Sequence, residues 1–423
     1  MSGLPRGWAE TPIGELVELN PKNTCDDNTE VGFVPMPLMG TTYLSKLAYE
    51  RRQWREVKKG YTHFADGDVL LGKITPCFEN GKAGLASDLP NALGAGSTEY
   101  FVFRPRPTLY PRYLLAYFKT RQFMSNGAVE MTGSVGHKRV PKNYVTETKI
   151  PLAPLPEQKR IADKLDSVLA RVDACRDRLD RLPALLKRFR QSILAAATSG
   201  WLTEDWRVEN NSNDPVQVTL REILKVSSGN FLPAKNMAEG GKVPVYGGNG
   251  VNGYHNESNV SEETLLIGRV GYYCGSVHLT PNQAWVTDNA LIVRHDQSET
   301  NRRFLFYALQ AIDLRVNDSS TAQPVISGQK IYPLEMQLPS LLEQTEIVRR
   351  IEILFAFADR LEARLATARR QVGQLTPALL AKAFRGELVA QDPADEPAAE
   401  LLKRLAAQRE AAPKAKRGRA SKA

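Results

Sequence analysis

The segment "LPEQKRIADKL", beginning at Leu155, returns as "LLEQTEIVRRI" at Leu341, 186 residues later. The offset holds without a gap from Val140 and Ile326, through Glu157 and Glu343, Gln158 and Gln344, Asp173 and Asp359, and Arg178 and Arg364, to Gly200 and Gly386. A fixed register over so long a stretch signals internal duplication. The period is too long for a solenoid, so each copy is expected to be a complete structural half.

Within the first copy, apolar residues fall at Ile161, Leu165, Val168, Val172, Cys175, Leu179, Leu182, Leu186, Phe189 and Ile193, in alternating steps of four and three. The second copy places Ile347, Ile351, Leu354, Ala358, Leu361, Leu365, Ala368, Val372, Leu375 and Leu379 at the same steps. This is a heptad seam with a charged opposite face. A single stripe is most simply explained by packing against its own domain. Two matched stripes are most simply explained by each other, which predicts a helix pair of about 40 residues and roughly 60 Å. The seam is expected to rest on Ile161, Leu165, Val168, Val172 and Leu179 of one helix and Ile347, Ile351, Leu354, Leu361 and Leu365 of the other. Pro183 and Pro377 are expected to distort their helices, since proline lacks the amide donor. Gly200 and Gly386 suit left-handed C-terminal caps.

The regions outside the helices carry short apolar runs, alternation and many turn residues, as in "EYFVFRP" and "NALIVRHD". Their motif order is parallel: "GDVLLGKITP", "EYFVFRP" and "PRYLLAYF" in one, and "ETLLIGRVG", "NALIVRHD" and "RRFLFYAL" in the other. The fold class is therefore α+β: two mixed domains, 1–152 and 208–338, alternate with helical regions 153–207 and 339–391. A tail, 392–423, is expected to be partly disordered and basic, with Lys414, Lys416, Arg417, Arg419 and Lys422 near its end.

Composition excludes several classes. Four dispersed cysteines, with no C-x-x-C pair, and five histidines argue against a zinc site or a disulfide framework. No apolar run approaches the roughly 20 residues a membrane helix needs, and the start lacks a signal-peptide core, so a cytoplasmic, non-membrane protein is expected. The net charge of +9 is compatible with a polyanionic partner. Phosphate-binding loops, dinucleotide fingerprints and nucleophile elbows are missing, as is the Asn- or Asp-Pro-Pro-aromatic tetrad of amino-methyltransferases, so no catalytic residue is assigned. Cys77, with His63, is the one formal thiol candidate, and nothing in the sequence marks it as activated.

Candidate nucleic-acid-facing residues come from polar turns. "KITPCFENGK" supplies Lys73, Asn80 and Lys82; "GSVGHKRVPKNY" supplies His137, Lys138, Arg139 and Lys142; "GRVGYYCG" supplies Arg269, Tyr272 and Tyr273. "SSTAQPVISGQKIY" supplies Ser319, Ser320, Gln323, Ser327 and Lys330. Basic and amide groups match guanine and adenine edges, aromatics stack, and hydroxyls on turns suit phosphates. The plainer reading of each is a solvated polar turn.

Over nearly its whole length the chain resembles the specificity subunit of type I DNA restriction-modification systems. The resemblance is carried by "LPRGWAETPIGELVEL", "KKGYTHFADGDVLLGKITPCFENGKAG", "KIPLAPLPEQKRIADKLD", "TAQPVISGQKIYPLEMQLPSLLEQ" and the two helix ends, "LPALLKRFRQSILAAATSGWLT" and "LLAKAFRGELVAQDPADEPAAELLKR". One departure is "TGSVGHKRVPKN" in the first half, where the second has the more usual "TAQPVIS". The resemblance implies two target recognition domains related by a pseudo-two-fold repeat, each reading half of an asymmetric bipartite target in double-stranded DNA. It also implies an antiparallel helix pair that sets the spacer. Two modification subunits carrying S-adenosylmethionine, and restriction subunits using ATP and Mg2+, would be the partners, with no cofactor in this chain. A coiled-coil adaptor with two protein-binding domains is the alternative from a different class.

Overall fold

The computed structural model describes residues 3–134, 136–315 and 325–411. Two helices of 44 residues each, Leu155–Thr198 and Leu341–Phe384, fill the repeated segments. Both stay helical through their internal prolines. Gly200 and Gly386 take left-handed backbone at φ 79° and 72°. After the second helix, the Glu387 amide reaches back to the Lys382 carbonyl, closing the last turn as a glycine cap does.

The chain forms two compact units that divide both long helices: residues 1–178 with 368–423, and residues 179–367. In the first unit, an antiparallel sheet runs in the order Val17–Leu19, Tyr100–Pro105, Val69–Gly72, Ala83–Leu85. Its central strand is aromatic and β-branched, and Tyr100, Phe101, Val102 and Phe103 are all buried, as a strand covered on both faces requires. A second sheet pairs Glu50–Gln53, Glu30–Val34, Leu93–Gly96 and Thr62–Ala65. Helix Pro111–Phe118 begins on a proline, which fits the first helical position, and Phe118 meets Phe103 at 4.8 Å.

The second unit repeats this plan. Its antiparallel sheet has the order Leu224–Ser228, Ala290–His295, Leu265–Gly268, Val277–Leu279. Its smaller sheet has three strands, Gly250–His255, Val243–Gly247 and Trp285–Val286. In both units a short antiparallel ribbon ties the start of the domain to the strand just before a long helix. Ala9–Pro12 pairs with Lys149–Leu152, and Val216–Thr219 with Glu335–Leu338.

The repeated glutamine explains why the segment is written twice. Gln158 is fully buried, accepts the Tyr110 amide at 2.8 Å, and donates to the Thr108 and Ala153 carbonyls at 3.2 and 2.8 Å. Gln344 accepts the Asn301 amide at 2.7 Å and donates to the Glu299 and Pro339 carbonyls at 3.0 and 2.9 Å. Tyr110 and Asn301 are the N-cap residues of the equivalent domain helices. One carboxamide, with its acceptor and two donors, thus holds three backbone groups, two from the start of a domain helix and one from just ahead of the long helix, in each unit. The neighbouring acids differ in partner. Glu157 accepts from Trp8 Nε1 at 3.1 Å, whereas Glu343 accepts from Thr203 Oγ1 and Arg207, each at 2.6 Å. Burial raises the Glu157 carboxyl, and the indole donor opposes that.

Each unit contains the start of one long helix and the end of the other. In the second, Arg190 bonds Asp359 at 2.6 Å and its guanidinium lies 5.0 Å from the Phe355 ring centre. Arg350 donates to the Leu202 carbonyl, and Thr203 reaches Glu343. As the first helix and its continuation ascend from 190 to 203, their partners descend from 359 to 343, so these helices run antiparallel. Ile347 and Ile351 are fully buried in the same core as Ile193, and Leu354 lies half-buried against it. In the first unit Ile161, Leu165 and Leu169 share the domain core with Leu380 and Ala383, so this part of the stripe packs on its own domain as well as beside the other helix. Val172 and Leu365 are also buried, while Val168, Leu179 and Leu361 are half-buried.

The tail expected from 392 contains an ordered stretch. Ala398–Ala411 is a helix whose Ala398, Leu401 and Leu405 are buried, with Ala398 in the first unit's core, Leu402 packed against it, and Asp395 paired to Arg160 at 2.7 Å. Apolar residues three and four apart supplied that face, and the basic end drew attention from it. The five basic residues from Lys414 to Lys422 lie outside the described residues.

Replacing Gln158 or Gln344 with Ala leaves a buried amide and two carbonyls unpaired. Each variant is expected to lose about 2–4 kcal/mol of stability in urea unfolding, whereas exposed Gln374→Ala should stay within about 0.5 kcal/mol.

Candidate nucleic-acid interface

Three segments of the first domain meet beyond the ends of Val69–Gly72 and Tyr100–Pro105: the turn from Lys73 to Thr75, Thr98 and Glu99 ahead of the central strand, and residues 136–140. The Lys73 amide donates to the Glu99 carbonyl, the Val140 amide to the Lys73 carbonyl and the Thr75 amide to the Lys138 carbonyl, each at 2.9 Å. Lys73 Nζ donates to the Thr98 carbonyl at 2.8 Å and lies 5.4 Å from the Phe101 ring centre. Arg139 grips both oxygens of Glu99, Nε at 2.9 Å and Nη2 at 2.7 Å. That bidentate bond holds the Glu99 carboxyl below its usual range, against a smaller opposing effect of burial. His137, Lys138 and Arg139 are exposed.

The second domain builds the same junction. The Arg269 amide donates to the Asn289 carbonyl at 2.9 Å and the Ile326 amide to the Arg269 carbonyl at 2.8 Å. A bridge between Val270 and Val325 matches that between Ile74 and Arg139. Arg269 Nη1 reaches Ser228 Oγ at 3.2 Å and the Asp288 carbonyl at 3.3 Å. Tyr272 and Tyr273 are 84% and 52% exposed, edge to face at 5.0 Å, on a turn whose Gly271 and Gly275 both take φ near +90°. Positive φ disfavours side chains there, so glycine lets the turn close and lifts the rings outward.

The structure therefore gathers Lys73, His137, Lys138 and Arg139 in one domain, and in the other places Arg269 at the matching junction with Tyr272 and Tyr273 on the turn that follows it. Other sequence candidates lie apart. Asn80 lines a cavity of about 260 Å³ with Lys119, Asp173 and Arg176. Lys82 donates its ammonium to the Met36 carbonyl at 2.7 Å, and Lys142 is exposed at the first position of helix Lys142–Glu147. Lys330 Nζ donates to the Val325 carbonyl at 2.7 Å, and Ser327 stands at the N-cap position of the short helix Gly328–Ile331 without a capping bond from its hydroxyl. Ser319, Ser320 and Gln323 lie outside the described residues. His63 is buried, its ring 4.5 Å from that of Trp54, and burial lowers its pKa. Cys77 packs beside Gly72 instead, and no contact joins the two among the described residues.

Sequence reasoning missed Glu99 and Asn289, because an acid or amide ahead of a strand reads as an ordinary turn residue. It also missed Lys119, which is 9% exposed and donates to the Thr41, Gly81 and Ala83 carbonyls at 3.0, 2.6 and 2.8 Å. Burial pushes its ammonium down to about 7, against which the three acceptors favour the charged form, the one with three donors. Among the described residues no group of His, Cys, Asp or Glu could hold a metal ion, and no helix is long and apolar enough to cross a membrane.

The family model for the type I restriction modification DNA specificity domain matches residues 5–184 and again 213–368, one match over each domain and the helix that follows it. The chain belongs to this family. Among curated relatives, the EcoAI specificity subunit of Escherichia coli is 40% identical over 209 residues, 48% of this chain and 36% of that relative. The chain thus aligns with little over a third of that subunit. The StySPI specificity subunit of Salmonella potsdam is 29% identical over 96% of both chains. The crystal structure of an HsdS subunit from Thermoanaerobacter tengcongensis shares the fold, with a TM-score of 0.64 at 22% identity over 91% of this chain and 98% of that one. That HsdS subunit therefore shares the fold built here from local interactions.

Two substitutions separate surface from core. Tyr272→Ala should leave the unfolding free energy within about 0.5 kcal/mol of wild type, because the ring is outside the packed core. Lys119→Met strands the buried Gly81 and Ala83 carbonyls and is expected to lower it by roughly 3 kcal/mol in the same denaturant titration.

Proposed function

We propose that this chain is the DNA-reading subunit of a type I restriction-modification complex. Each recognition domain contacts one half of an asymmetric bipartite site in double-stranded DNA. The observation that carries the reading is the shared junction: two domains of divergent sequence bring the turn after one strand, the residues before the central strand and the segment leading to a long helix to one place. They expose His137, Lys138 and Arg139 there in one domain, and in the other set a half-buried arginine beside an exposed tyrosine pair. Such groups neutralise phosphates and reach base edges.

In this reading the paired helices fix the distance between half-sites, while methylation and cleavage belong to other chains. Modification subunits would supply S-adenosylmethionine, restriction subunits ATP and Mg2+, and the assembly would act in the cytoplasm. This chain's own residues position DNA and catalyse nothing.

The first test is expression with the cognate modification subunit in a host lacking adenine methylation, followed by mapping of methyl-adenine. A split, asymmetric motif with a fixed spacer is expected, whereas a continuous or palindromic motif would refute the two-reader assignment. Inserting one heptad at the same level in both helices adds about 10 Å and should lengthen the spacer by about 3 base pairs, at roughly 3.4 Å each. Lys138→Ala should weaken binding evenly across target sequences and reduce the dependence of log affinity on log salt by about one unit.

A further inference from the structure

The residue just before the central strand occupies the same place in both domains. The Glu99 carbonyl receives the Lys73 amide and the Asn289 carbonyl receives the Arg269 amide, both at 2.9 Å. From there Tyr100–Pro105 and Ala290–His295 continue as matching strands of matching sheets. The backbone is held alike, and the side chains differ: a carboxylate in one domain, a carboxamide in the other.

Their surroundings suit a reading role. Glu99 keeps 24% of its side chain exposed beside exposed His137 and Lys138, and two bonds from Arg139 fix its orientation. Each carboxylate oxygen has a second acceptor site, so the grip of Arg139 leaves Glu99 able to accept further hydrogen bonds. Asn289 is exposed next to Asp288, whose carbonyl receives Arg269.

We propose that this position reads one base in each half-site, cytosine through Glu99 and adenine through Asn289; the proposal rests on the DNA reading above. A carboxylate offers only acceptors and matches the N4 amino group of cytosine. Adenine would place its N7 acceptor against the second carboxylate oxygen, so it is disfavoured there. The guanine paired with that cytosine presents O6 and N7, which are acceptors for donors such as Arg139 or Lys138. A carboxamide offers one acceptor and one donor and matches adenine N6 and N7. The unlike residues at one shared position make the two half-sites unlike.

The test maps methyl-adenine for the full chain with its modification subunit, comparing wild type with Glu99→Ala, Glu99→Gln and Asn289→Ala. The wild-type motif should hold an invariant C·G pair in one half and an invariant A·T pair in the other. Glu99→Ala should relax the C·G position alone, with a loss of roughly 5- to 150-fold in discrimination, and Glu99→Gln should move that position toward adenine. Asn289→Ala should relax one position in the opposite half. A split wild-type motif without those pairs, or alanine variants whose motifs stay unchanged, would overturn the assignment and leave the two-reader function standing. An even loss of methylation at every site in both Glu99 variants would also overturn it, assigning the Arg139 pair to holding the loop. A wild-type chain giving no split motif would remove the underlying reading as well.

Discussion

Everything else in the molecule depends on a buried carboxamide at the head of each long helix. Gln158 and Gln344 each satisfy one amide and two carbonyls that would otherwise be desolvated without partners. Such a site tolerates little change, because the penalty of a stranded buried group exceeds the net gain from making the bond. The helix is thereby attached to its domain at a fixed point and angle. The apolar stripe then follows, carrying Ile161 and Leu165 into one core and Ile347 and Ile351 into the other.

With that frame fixed by backbone bonds, the outer edge of each domain is free to vary. The main-chain bonds around Lys73 and Arg269 are nearly superimposable in pattern, although the residues they present are different. Main-chain hydrogen bonding is indifferent to side-chain identity, so it can preserve a junction while the groups displayed on it change.

Much of the architecture was legible from periodicity. The 186-residue offset and the alternating steps of the seam identified both helices, and paired strand motifs identified both domains, since burial imposes a spacing that sequence displays directly. The site was less legible. Lys73, His137, Lys138 and Arg139 come together as their clustering on turns suggested, but Lys82 spends its ammonium on the Met36 carbonyl and Asn80 lines a cavity. A charged side chain's partners are set by tertiary contacts, so composition does not separate a reader from a structural tie. Lys119 and Glu99 show the same limit from both sides: one is a cation wholly used inside the fold, the other an acid set within a basic edge.

The partners of the two equivalent acids have a topological meaning. Glu343 is met by Thr203, from the chain leaving the first long helix, whereas Glu157 is met by Trp8, near the start of the sequence. In the same unit as Trp8, the chain leaving the second helix arrives beside that start: Gly386 lies against Pro5, and the Ala398 amide donates to the Gly7 carbonyl. Each domain is thus closed by the peptide that follows a long helix, continuous in one case and interrupted in the other. The same joint of helix exit and domain entry is therefore built twice, once within a continuous stretch of chain and once from two stretches far apart in sequence.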